Sequence, residues 1–76
     1  MSPEPRCLLL FPSIHHVLAA ERALEAAGVA AELVPVPKEI SPECGMAVAV
    51  AAAARTPALD ALRGAVAPRV VDGWEP

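Results

Sequence analysis

Aromatic residues are almost missing: Phe11 and Trp74 stand alone, and there is no tyrosine in 76 residues. This excludes a platform on which nucleic-acid bases could stack, and a core anchored on large rings. Positive charge is also scarce. Six Lys and Arg against nine Asp and Glu leave a net charge of −3, with no basic stripe, so nucleic acid is not an expected partner. Cysteine occurs twice, as Cys7 and Cys44, with no CxxC pair and no Cys/His ligand spacing, which argues against a structural zinc site. Long apolar runs are absent. The longest, Met46 to Ala54, has nine residues, about half of a membrane span. The opening Met1-Ser-Pro-Glu-Pro-Arg6 has an acid and two prolines where a secretory signal needs basic and then apolar residues. A cytoplasmic protein with no membrane partner is expected. In that reducing compartment a disulfide is a poor default, so at least one thiol is free to react.

Small aliphatic side chains fill the gap. Seventeen residues are alanine, 55% are hydrophobic and 20% are charged, a composition that folds rather than one that stays disordered. Residues 1–76 are read as a single small domain. A chain of this size buries only about 60% of the surface its unfolded form exposes. Stability should be marginal, and a homodimer would supply extra burial. A deep cleft has no room, so chemistry belongs on a loop or at a contact with a partner.

Arg6 to Phe11 is a continuous apolar run closed by Pro12, as suits a buried central strand. Ser13 is placed to cap a helix. From Ile14 to Ala27, Val17, Ala20, Leu24 and Ala27 recur at spacings of three and four, with Gly28 as a natural stop. Val29 to Val36 reads as a second strand. Pro35 and Pro37 cannot donate ladder hydrogen bonds, so that strand belongs at a sheet edge or ends early. Pro37 to Gly45 is a polar loop, and Met46 to Ala52 a third strand. Thr56-Pro57 resembles a helix cap with proline at the first helical position, followed by Leu59, Leu62 and Val66 in helical spacing. Arg69 to Trp74 is the last strand. Trp74 is most economically a core or dimer-interface residue.

This order, βαββαβ, predicts a ferredoxin-like α+β fold. It has a four-stranded antiparallel sheet with strands one and three central and both helices on one face. The chemistry follows from the topology. The Pro37 to Gly45 loop and the start of the first helix, around Ser13, Ile14, His15 and His16, should share one edge of the sheet. A thiol at Cys44 would then lie near a helix N-terminus, whose partial positive charge favours the reactive thiolate. A histidine there could take a proton or add charge. Gly45 removes bulk beside the sulfur and allows close approach of another backbone or a sulfur donor. Cys7 falls at the far end of strand one, roughly 15 Å away, beyond disulfide reach. It is read as a packing residue.

The stretch Leu8-Leu-Leu-Phe-Pro-Ser-Ile-His-His-Val-Leu-Ala-Ala-Glu-Arg-Ala-Leu24, then Ala-Gly-Val and Val34-Pro-Val-Pro-Lys-Glu-Ile-Ser-Pro-Glu-Cys-Gly-Met-Ala-Val48, resembles the DUF3343 family, described as selenium/sulfur carrier protein-like. The resemblance rests most on Ser13 with His15-His16, on Pro37 to Ser41, and on Cys44-Gly45. It implies a small cytoplasmic protein with Cys44 as the carrier thiol.

Each residue has a plainer reading. Cys44 could be an inert residue that begins a strand. Adjacent helical positions are about 100° apart, so one histidine at most points at Cys44. His16 lies nearer the apolar side and His15 the exposed side. Ser13 serves better as a cap than as a nucleophile, because no acid-base partner is placed for it. Lys38 could attract an anionic sulfur species or simply face solvent. The leading expectation is a sulfur or selenium carrier that meets donor and acceptor proteins transiently. It needs no cofactor and no metal, and turns over no small molecule alone. The alternatives are an interaction or regulatory module in which Cys44 is incidental, and a soft-metal binder using Cys44 with a histidine.

Overall fold

A computed structural model describes residues 5–39, 45–64 and 68–74, with Gly73 and Trp74 described by backbone only. The elements are β1 (Arg6–Leu10), α1 (Ile14–Ala26), β2 (Glu32–Pro35), β3 (Met46–Ala51), a 3-10 turn (Ala52–Ala54), α2 (Arg55–Ala61) and β4 (Arg69–Trp74). The strands form one antiparallel sheet in the order β2-β3-β1-β4. This is the expected ferredoxin-like α+β arrangement, with β1 and β3 central and the proline-bearing β2 outermost.

The apolar runs occupy the central strands because both faces of those strands are covered. On one face Cys7, Leu9 and Phe11 of the β1 segment and Val48 and Val50 of β3 meet Val17, Ala20 and Leu24 of α1 and Ala58 and Leu62 of the α2 segment. Both helices therefore lie on the same side. On the other face Leu8, Leu10, Val34, Val36, Ala47 and Ala49 form a second buried cluster. Toward its far end Arg6 reaches over β3 to Glu32 at 2.6 Å. This pair is exposed and adds at most about 1 kcal/mol.

Helix α1 ends as its sequence requires. Ala27 is the C-cap, and Gly28 follows at φ +76°. The N–H of Gly28 donates to the Glu25 carbonyl at 3.0 Å and that of Val29 to the Leu24 carbonyl at 2.9 Å. These two bonds make a Schellman motif.

Several boundaries differ from expectation. Ala27 is exposed, since the helix ends before its side chain can join the buried stripe. β2 begins at Glu32 rather than Val29, because the Val29 N–H is committed to the cap of α1. β3 stops at Ala51 rather than Ala52, and helical turns begin at Ala52, ahead of the Thr56-Pro57 pair. Thr56 is not the cap: α2 begins at Arg55, its N-cap is Ala54, and no side chain caps it. Alanine propensity carries the turn back from Pro57. Pro57 is tolerated in the first turn, where N–H groups lack intrahelical partners in any case. Val66 lies outside the described residues, as does the side chain of Trp74.

Candidate functional site

The register fixes which ends meet. Leu9 of β1 pairs with Val48 and Pro35 of β2 pairs with Met46, so Gly45 stands at the end of the sheet where β1 leads into α1. The Val36 N–H donates to the Gly45 carbonyl at 2.9 Å, extending the β2–β3 ladder to this edge. Gly45 and the amino end of α1 are thus at the same end of the sheet, as the topology implied. Cys44 lies outside the described residues.

Ser13 is the N-cap of α1. Its Oγ accepts from the His16 backbone N–H at 3.5 Å and hydrogen bonds the His16 Nδ1 at 2.8 Å, with a direction set by the ring tautomer. The three-residue spacing that suits a cap also brings these side chains together. His16 is half-buried, whereas His15, one position earlier, is exposed. The ring of His16 is thereby held by Ser13 at one nitrogen. Replacing Ser13 with alanine should cost about 0.5–2 kcal/mol, the usual range for losing such a cap. Urea unfolding would show it as a lower midpoint at unchanged slope.

Gly45 is exposed, and a Cβ built on it would meet nothing within 4 Å. Its φ lies outside the left-handed region. Neither steric room nor backbone conformation therefore demands glycine at this position. Pro37, Lys38 and Glu39 are exposed at the start of the loop. A groove of about 440 Å³ lined by Glu21, Glu25 and Gly28 to Ala31 opens at the opposite end of α1, away from this edge.

The second thiol sits in a different setting. Cys7 is 1% exposed. Its Sγ donates to Asp72 Oδ1 at 3.2 Å, and Arg55 Nε donates to the same oxygen at 3.1 Å. Burial pushes the Cys7 thiol up, the hydrogen bond to Asp72 and that carboxylate's charge push it further, and Arg55 opposes them. Sequence reasoning missed Asp72 and Arg55. The topology sets β4 antiparallel to β1 and brings its distal end toward Cys7, but the register that places Asp72 against the sulfur shifts between Arg6 and Leu8.

Among the described residues no three His, Cys, Asp or Glu side chains converge as metal ligands, and no helix is long and apolar enough to cross a membrane. No curated protein and no solved structure matches the chain. The model of the family described as Putative Se/S carrier protein-like matches residues 6–67, from the start of β1 to beyond α2, and the chain belongs to that family.

Proposed function

We propose that this protein is a sulfur or selenium carrier of the cytoplasm whose carrier thiol is Cys44. The observation that carries the reading is the position of Gly45. The residue that follows Cys44 in the chain sits at the sheet edge where α1 begins, and nothing in the described fold requires it to be glycine. A glycine that packing does not need is explained by an approaching partner.

The step is thiolate exchange. The Cys44 thiolate attacks the terminal sulfur of a donor persulfide, and a new S–S bond forms. The donor S–S bond breaks, and its electron pair leaves with the donor thiolate. Delivery to the acceptor reverses the roles, and the selenium version follows the same course. No external oxidant or reductant is consumed. The partial positive charge at the start of α1 and the Ser13-held ring of His16 favour an anionic sulfur nearby. Lys38 and His15, both exposed, add charge or proton capacity at the docking surface.

Intact-mass spectrometry tests the reading after exposure of the chain to a cysteine desulfurase with cysteine. Wild type and Cys7→Ser should each gain about 32 Da, one sulfur atom as a persulfide, and Cys44→Ser should gain nothing. A gain that survives in Cys44→Ser, or no gain in wild type, would defeat the carrier reading. An interaction module in which Cys44 is incidental would then be the better description.

A further inference from the structure

We propose that Asp72, acting together with burial, holds Cys7 as a protonated thiol and so keeps it from competing with Cys44 for sulfur. The biological consequence rests on the carrier reading; the chemistry at Cys7 does not. A carrier with two thiols must direct its cargo to one of them. Only a thiolate can displace the donor thiolate from a persulfide, so a thiol that stays protonated takes no part.

The surroundings of Cys7 show what decides its state. From β3 its neighbour is Val50, and from α1 the buried residues Val17, Ala20 and Leu24 are apolar. Arg6, beside it on β1, turns to the other face and pairs with Glu32. The charges acting on the sulfur are Asp72 from β4 and Arg55 from α2. A guanidinium alone would favour a thiolate. Asp72 removes that effect in two ways: it takes the Arg55 Nε–H onto the same oxygen that accepts the Cys7 S–H, and it sets a negative charge against any second one. The exposed Arg55–Asp72 pair is worth little to stability. Its effect falls on the sulfur.

Two variants separate charge from loosening, because both break the same ion pair. In a Cys44→Ser background, the ultraviolet thiolate band of Cys7 is titrated in the folded protein. Asp72→Asn leaves Arg55 unopposed and should move the titration to lower pH by about one unit or more, a tenfold or greater rise in thiolate fraction. Arg55→Gln leaves Asp72 unopposed and should move it to higher pH. Shifts in the same direction would mean that breaking the pair only opens the fold; no shift would mean that burial alone sets the thiol. Either result overturns the proposal. No sulfur donor enters these measurements, so their outcome is independent of whether Cys44 proves to be a carrier.

Discussion

Leu9→Ala is expected to remove about 2–5 kcal/mol of stability, the largest loss of any single truncation considered for this chain. Leu9 is 0% exposed and sits on β1 between Val48 and Val70, its register partners on the two sides. Its side chain belongs to the cluster that joins the sheet to both helices. Truncating a buried leucine costs about 2–5 kcal/mol, through lost transfer energy and the cavity left behind. At about 0.05–0.15 kcal/mol per residue, a chain of this length has roughly 4–11 kcal/mol in total. The variant therefore removes between about a fifth of the whole and all of it. Leu18→Ala is the control, since Leu18 is 39% exposed on α1 and should cost only about 0.5 kcal/mol. Urea titrations of the two variants at a common slope provide the comparison. Equal losses would mean that the cluster over the sheet is not the stabilising core.

The same substitution at two glycines should change stability in opposite directions. Gly28 has φ +76° and donates the bond that closes the end of α1. Alanine there must enter the left-handed region, at a cost of roughly 1–2 kcal/mol. Gly45 has ordinary backbone geometry and open space where a Cβ would go. Alanine there should stabilise by about 0.4–1 kcal/mol, because it restricts the unfolded chain. If Gly45 serves the approach of a partner, Gly45→Ala should also slow sulfur loading despite its greater stability. Thermal melts and loading rates measured on both variants separate the two roles. A loss of stability at Gly45 would mean that the fold, not a partner, requires the glycine.

The topology was legible because local signals agreed with one another. Continuous apolar runs at Cys7 to Leu10 and Ala47 to Val50 marked the two central strands, and Pro35 and Pro37 marked an outer one. Boundaries were less legible where one residue satisfied two descriptions. Val29 is apolar enough for a strand but is taken by the helix cap, and Thr56-Pro57 has the composition of a helix start inside a helix that alanine had already begun. At the candidate edge, the Ser13 cap and the more buried side of His16 followed from residue type and spacing. The triangle of Cys7, Asp72 and Arg55 did not. It depends on the pairing of β1 with β4, whose register shifts between Arg6 and Leu8, and no local pattern encodes that irregularity.

The strand order also bears on how the chain can be divided. β1 lies in the middle of the sheet only because β4, the last strand, closes one of its sides. A fragment cut after residue 67, where the family match ends, would lack β4. It would turn Cys7-Leu-Leu-Leu10 from a buried strand into an open edge. An apolar edge with unpaired N–H and C=O groups is a template for aggregation. Expression of the family-matched segment alone should therefore give insoluble material, and the short stretch Arg69 to Trp74 serves this chain as its own protective cover.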